Sequence, residues 1–239
     1  RSDKNDKIMA TITAVPKKIQ INGETVKVAE VNFLAVHRAL RGKRMAQVMI
    51  QEMMRRKRIH GLMQAFYTSA SALPTPFISI NFFNRFLNPK KLIDIGYTVL
   101  PPKIKLKQFE NRYALPERNT IKLVGELRAM QKKDAASVLK LYNSSMETRK
   151  IKYKMSQEDI IHFLMPKDKV VWTWVIENEV DGKKVVTDFF SMHRITQQCM
   201  KADQDHTEMH SGSLWYYGLS KNTYVDMIKT VLWLSLEEA

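Results

Sequence analysis

The chain has one cysteine, Cys199, in 239 residues, so it can form no internal disulfide, and it fits a reducing compartment. No apolar run approaches the ~20 residues of a membrane-spanning helix, so a soluble, cytoplasmic protein is expected. Neither Gly-x-Gly-x-x-Gly nor a Walker sequence occurs, which removes the common nucleotide fingerprints. No DNA- or RNA-binding motif is legible, no repeat links the two halves, and the six histidines are scattered without a catalytic triad. Acidic residues are also scarce. Twenty-four of them face 39 lysines and arginines, and the net charge of +15 implies attraction to something anionic: nucleic acid, an acidic membrane surface or ligand phosphates.

A hydrophobic content of 44% can build a real core, and the length allows one large domain or two small ones. The chain begins at Arg1 and closes on "LWLSLEEA", inside what reads as an unfinished helix, so both natural ends are expected to lie outside these residues. The basic excess is clustered at Arg38 to Arg44, Arg55 to Arg58, Lys103 to Lys107 and Arg149 to Lys154, runs that read as solvated faces.

The first part reads as strands and then a helix. Ile8 to Val15 is a short β-branched run, and Ile19 to Ile21 and Val26 to Val28 flank Asn22-Gly23, a strong hairpin signal. A strand over Val31 to His37 completes a meander. From Met45 the spacing of Val48, Met49, Ile50, Met53 and Met54 predicts a helix, with Glu52 four residues before Arg56 and Gly61 as its C-terminal cap. "LMQAFYTSA" reads as a buried strand and "LPTPF" as a loop.

Beyond Asn88-Pro89 a second unit is expected, so the division is 1–88 and 89–239. Its early prolines, Pro101, Pro102 and Pro116, argue against long regular elements. Asp134 is the expected N-cap of "AASVLKLY", and Ser156 with Asp159 and Thr223 with Asp226 read as capping boxes. Val170 to Glu177 and Val185 to Met192 form a hairpin around Asp181-Gly182 with a longer loop. The fold class is α+β.

"EVNFLAVHRALRGKRMAQVMIQEMMRR", Glu30 to Arg56, delivers a strand into a basic turn and then a helix. The first helical amides have no partner inside the helix, the helix dipole adds positive potential, and Gly42 lets a ligand approach the backbone. Arg41, Lys43 and Arg44 then make either a phosphate cradle or a solvated basic turn.

With "GLMQAFYTSASALPTPF", "NRFLNPKKLIDI", "YALPE", "MSQEDIIHFLMP" and "VVTDFFS", in that order, this stretch resembles the eukaryotic glycylpeptide N-tetradecanoyltransferases, the N-myristoyltransferases. The resemblance implies tandem GNAT-type acyltransferase halves with a mixed sheet and flanking helices, the second half incomplete here. It implies myristoyl-CoA as co-substrate with no prosthetic group, and proteins with an N-terminal glycine as acceptors, the acyl donor binding first. The amides of Phe33 and Leu34 would form the oxyanion hole. Arg41, Gly42, Lys43, Arg44, Met45 and Ala46 would bind the coenzyme A phosphates. Gly42 and Gln47 replace the family's serine and proline, which removes neither a cation nor an amide donor.

On the acceptor side, the resemblance implies that Tyr67, Thr68 and Ser191 meet the glycine amine, with Thr68 among the catalytic residues. Phe82, Phe83 and Asn84 replace a Tyr-Trp-His run, so an imidazole is lost near the peptide, and Ala70 replaces a glycine. The family's base is its own C-terminal carboxylate, a role that does not pass to Ala239. Two other readings stay open: a different GNAT-type acyltransferase, or a silent relative that binds acyl-CoA or docks on a ribosome. The fourteen methionines, grouped in the first helix and around Met192, serve an acyl tunnel or ordinary core packing. His206 and His210, with Asp203, Asp205, Glu208 and Cys199 nearby, lie in polar "KADQDHTEMHSGS", which reads as a solvated loop, and no metal site is assigned.

Overall fold

The computed structural model describes residues 7–69, 75–199 and 206–238, in an α+β architecture with two compact units. The first unit holds residues 1–80 and 148–155, and the second holds 81–147 and 156–239. The break therefore falls at Ile80, earlier than the sequence division at 88, and one short segment of the later chain belongs to the first unit.

In the first unit β1 (Ala10–Ile21) and β2 (Glu24–Val36) form one long hairpin in place of a meander of short strands. Asn22 and Gly23 turn it with φ of 48° and 95°, the left-handed pair that a tight hairpin turn requires. Pro16 is tolerated inside β1 because the strand beyond, β5 (Ile151–Tyr153), pairs only with Ile19 to Ile21 and leaves Pro16 at an open edge. β5 lies within the Arg149 to Lys154 run, which is thus no purely solvated face.

Helix α1 (Met45–Ile59) follows β2 and leads to β3 (Gln64–Phe66), which pairs in parallel with Val28 to Glu30. β3 is shorter and more exposed than a buried strand over "LMQAFYTSA". The sheet order is β3-β2-β1-β5. Gly61, at φ 71°, caps α1 as expected: its amide donates to the Arg58 carbonyl at 2.9 Å, and the Leu62 amide to that of Lys57 at 2.9 Å. Lys57, in a run expected to be solvated, is buried, and its Nζ donates to the carbonyls of Leu62 and Met63.

The second unit begins with two short helices, α2 (Pro89–Asp94) and α3 (Leu106–Arg112), consistent with its prolines. β4 (Glu126–Ala129), β6 (Val171–Val180), β7 (Lys183–Gln198) and β8 (Glu208–Gly218) form an antiparallel sheet in the order β4-β6-β7-β8. β6 and β7 are joined by Asp181 and Gly182 alone, both left-handed, so the loop is tighter than expected. β8 takes in Glu208 to Ser213 from the stretch read as a loop; 201–205 fall outside the described residues.

Trp174, Ile176, Phe190 and Met192 on one face of this sheet pack with Met227 and Val231 of α6 (Tyr224–Glu237). Met192 is therefore core. Ala135, Val138 and Tyr142 of α4 (Ala135–Ser145) and Ile160 and Leu164 of α5 (Gln157–Leu164) are buried as well. Burial pushes the Tyr142 phenol up to about 12. Gly218 of β8 lets α4 approach, since a Cβ there would lie 2.9 Å from the Leu141 carbonyl oxygen.

The caps divide. Ser156 and Asp159 form the full capping box, with Asp159 N–H donating to Ser156 Oγ at 3.1 Å and Ser156 N–H to Asp159 Oδ2 at 2.8 Å. Thr223 Oγ1 accepts from Asp226 N–H at 3.2 Å and donates to Asp226 Oδ2 at 2.7 Å, while Oδ1 takes the amide of Lys122 in place of the Thr223 amide that would close the box. Asp134 makes no cap bond to α4. Its carboxylate is held bidentately by Arg128 at 2.7 and 2.9 Å, and Arg128 also bonds Glu177. Burial raises the Asp134 pKa, but Arg128 and the Gln131 amide outweigh it and hold the carboxyl below its ordinary range.

Candidate functional site

β2 and β3 run in parallel only from Val28 to Glu30, and the last pair is Glu30 with Phe66. Beyond that point β2 continues to Val36, whereas the chain after Phe66 leaves the sheet at Tyr67 and Thr68. The C-terminal ends of parallel strands are where open sheets collect ligands, and three groups of residues gather past this one.

The first is an interruption of β2. Thr11 pairs with Ala35 and Thr13 with Asn32, so Phe33 and Leu34 together stand opposite Ile12. This is a β-bulge, and Phe33 takes φ 52°, a left-handed conformation that an L-residue with a bulky side chain rarely adopts. Phe33 is 81% exposed and Leu34 42% exposed, so side-chain burial does not explain the distortion. What the bulge changes is the backbone: it takes the two residues out of one-to-one pairing with β1, at a level where β3 no longer flanks β2.

The second is the turn between β2 and α1. His37 ends the strand with its amide on the Met9 carbonyl at 2.8 Å, and its Nδ1 accepts the Ala39 amide at 3.2 Å, starting a single 3₁₀ turn over Arg38–Leu40. Gly42 follows at φ 76°, which glycine takes without strain, and Arg44 at φ 58° enters the helix with no side-chain cap. The first helical bond runs from the Val48 amide to the Arg44 carbonyl. Among the described residues the amides of Met45, Ala46 and Gln47 therefore meet no acceptor. Arg41, Lys43 and Arg44 are exposed around them, and no acidic residue stands in the first turn. Free amides, a helix dipole and three cations make a site for an anion with several oxygens.

The third is Tyr67 and Thr68, one and two residues past the last parallel pair and both exposed. Ala70 lies outside the described residues. The structure thus brings Phe33, Leu34, Arg41 to Ala46, Tyr67 and Thr68 to one end of the first unit.

Phe82, Asn84 and Ser191 belong to the second unit. Phe82 is 80% exposed, and Phe83 and Asn84 are exposed beside it in chain without regular secondary structure. Ser191 is wholly buried in β7, where its hydroxyl accepts from Thr173 Oγ1 at 2.8 Å. Nearby His193 packs edge-on against Trp215, and burial lowers its pKa. His210 stands on β8 within 3.2 Å of Thr196 Oγ1. Sequence reading missed Thr11 and Thr13, whose hydroxyls donate to the carbonyls of Phe33 at 3.1 Å and Asn32 at 3.0 Å. Their alternation in a β-branched run marked a strand, but only the register shows what they touch.

Known proteins match the chain along almost its whole length. The family described as "Myristoyl-CoA:protein N-myristoyltransferase, N-terminal domain" matches residues 1–80, and its C-terminal domain matches 94–238. A probable glycylpeptide N-tetradecanoyltransferase of Caenorhabditis elegans is 34% identical over all of this chain and 52% of that protein. Glycylpeptide N-tetradecanoyltransferase 1 of Arabidopsis thaliana is 30% identical over 100% of this chain and 54% of its own length. The chain thus spans about half the length of the curated relatives it matches. The crystal structure of Saccharomyces cerevisiae N-myristoyltransferase with bound myristoyl-CoA superposes with a TM-score of 0.81 at 27% identity, covering 98% of this chain and 56% of that one. With both domain matches in order along the sequence, this chain belongs to the myristoyl-CoA:protein N-myristoyltransferase family.

Proposed function

We propose that this chain carries the acyl-donor site and part of the acceptor site of a protein N-myristoyltransferase. In this reading the amides of Met45 to Gln47 with Arg41, Lys43 and Arg44 hold the coenzyme A phosphates, and the amides of Phe33 and Leu34 receive the thioester carbonyl. The carrying observation is the bulge at Phe33, a strained backbone placed beside an anion site at the end of a parallel strand pair. Strain of this kind persists where the surroundings enforce it, and it concentrates at functional sites.

The chemistry uses each group. The glycine amine of an acceptor protein attacks the thioester carbon, and the carbonyl oxygen becomes an oxyanion. Donors aimed at that oxygen stabilise it, each lowering the barrier by about 3 kcal/mol. The carbon–sulfur bond then breaks, the amine gives up a proton, coenzyme A leaves as a thiolate that is reprotonated, and the products are an amide and a free thiol. Tyr67 and Thr68 meet the amine, whereas Ser191, wholly buried and bonded to Thr173 Oγ1, takes no part in this reading. In this reading the residues described here supply donor binding and carbonyl polarisation. We place the reaction in the cytoplasm, in keeping with the single cysteine. Among the described residues no helix is long and apolar enough to cross a membrane.

A second reading, docking on an anionic ribosomal surface, is favoured by a row of exposed lysines. Lys18 stands opposite Lys27, and Lys154 donates its amide to the Lys18 carbonyl at 2.8 Å, so like charges line up across three adjacent strands. Steep loss of ribosomal RNA binding with salt would support it.

The test of the first reading is calorimetric titration with myristoyl-CoA and acetyl-CoA, repeated on Arg41→Ala/Lys43→Ala/Arg44→Ala. Tight binding of the long-chain thioester that the triple variant loses is the expected result. Binding that is unchanged in that variant would overturn the phosphate site.

A further inference from the structure

Phe33 keeps a left-handed backbone without packing its side chain, so something else must fix it. The two threonine hydroxyls of β1 do so through the peptide planes. The Asn32 carbonyl and the Phe33 amide belong to one planar peptide group, and the Phe33 carbonyl and the Leu34 amide belong to the next. In a trans peptide the C=O and N–H bonds point in opposite directions across the plane, so fixing one aims the other. Thr13 Oγ1 donates to the Asn32 carbonyl at 3.0 Å, and Thr11 Oγ1 to the Phe33 carbonyl at 3.1 Å. Each bond draws a carbonyl toward β1 and turns the paired amide away from it, to the side where β3 has stopped pairing.

We infer that Thr11 and Thr13 are positioning residues that aim the Phe33 and Leu34 amides at the thioester carbonyl. This rests on the donor-site reading above. The two hydroxyls also polarise the peptide groups they touch, which strengthens the opposite N–H as a donor by ~10–30% per bond. A β1–β2 hairpin needs neither hydroxyl to form, because its ladder is made by backbone groups. The threonines act where the ladder is broken.

The test uses the whole chain and myristoyl-CoA labelled with carbon-13 at the thioester carbonyl, read by difference infrared spectroscopy beside calorimetric affinity. Bound to the unaltered chain, the carbonyl stretch should fall below that of the free thioester. Thr11→Val/Thr13→Val, which keeps shape and β-propensity, should return the stretch most of the way while donor affinity stays within about 2-fold. In an assay of transfer, kcat should drop about tenfold with KM little changed. Thr11→Ser/Thr13→Ser should restore both, which a purely structural role would not require. If the double valine chain does not fold, Thr11→Ala and Thr13→Ala singly give the same comparison, each with about half the change. A valine chain that folds and keeps the full shift overturns the clamp. If the thioester binds the unaltered chain with no shift at all, the assignment of Phe33 and Leu34 falls first, and the clamp loses its purpose with it.

Discussion

The carboxylate of Asp188, wholly buried in β7, accepts the backbone amide of Asn222 at 3.1 Å. The same oxygen takes the amides of Ser220 and Lys221 at 2.8 and 3.0 Å, and the second oxygen takes Asn222 Nδ2 at 2.9 Å and Thr187 Oγ1 at 2.7 Å. One side chain therefore folds the turn that leads into α6, and α6 supplies Met227 and Val231 to the core.

Asp188→Asn should cost about 3 kcal/mol, since the new NH₂ would face donors already pointing at that position and leave buried groups unmatched. The pH dependence follows from the same bonds. Burial raises the Asp188 pKa, but Thr187, Asn222 and Ser220 outweigh it and hold the carboxyl below its ordinary value. A carboxyl depressed on folding contributes stability that is complete above its unfolded value of about 4 and is lost as pH falls toward the folded one. Urea melts of the unaltered chain should therefore lose stability below pH ~4, and those of Asp188→Asn should lose it less steeply. Parallel acid limbs in the two chains would remove Asp188 from the account.

Phe33 carries the opposite signature, a residue whose replacement by glycine should not hurt the fold. Its side chain is 81% exposed and its φ is 52°. Phe33→Gly relieves backbone strain of about 1–2 kcal/mol against an unfolded-state entropy cost of about 0.5–1 kcal/mol, so stability should hold or rise slightly. Phe33→Val places a β-branched residue in the same conformation and should lose about 1–2 kcal/mol. A glycine variant less stable than the valine variant, in the same denaturant series, would show that φ does not set the balance.

The sequence was readable where a local rule decides and opaque where register does. Asn22-Gly23, the Gly61 cap and the Ser156–Asp159 box are local, and each stands as expected. The helix after the basic turn was legible from its spacing, and so were the amides that its start must leave free. Asp134 and Asp226 had the right residue type at the right distance, yet Arg128 holds both oxygens of Asp134, and Asp226 keeps one oxygen on Thr223 Oγ1 and gives the other to the distant Lys122 amide. β5 could not be found, because a three-residue strand inside a basic run carries no period. The bulge at Phe33 is of the same kind. It exists only as a mismatch between two strands, so neither strand alone announces it.

Gly218 tests the packing of α4 on the second sheet. A Cβ there would lie 2.8 Å from Phe189 Cε1 and 2.9 Å from the Leu141 carbonyl oxygen, and the second of these is backbone that cannot rotate away. Gly218→Ala should lose about 1–3 kcal/mol by overpacking. Gly182→Ala meets no atom within 4 Å, and its cost is only that of φ 72°, about 1 kcal/mol. Thermal melts of the two variants separate steric from conformational cost, and equal losses would argue that α4 shifts to make room.

Lys57 links the basic helix to the strand that follows it. It is 3% exposed, and its Nζ donates to the Leu62 and Met63 carbonyls, directly before β3 begins at Gln64. Methionine matches the length and apolar stem but has no donor, so Lys57→Met leaves two carbonyls without their partner and should cost about 1–3 kcal/mol. Arg58→Met, one residue on and exposed, should stay within about 0.5 kcal/mol. The second consequence is local. If Lys57 sets where β3 starts, the methionine variant should lose hydrogen-exchange protection at Ala65 and Phe66 before the β1–β2 hairpin loses any. Loss spread evenly over the sheet would instead mean that Lys57 contributes only global stability, and that Tyr67 and Thr68 owe their place past Phe66 to β2 alone.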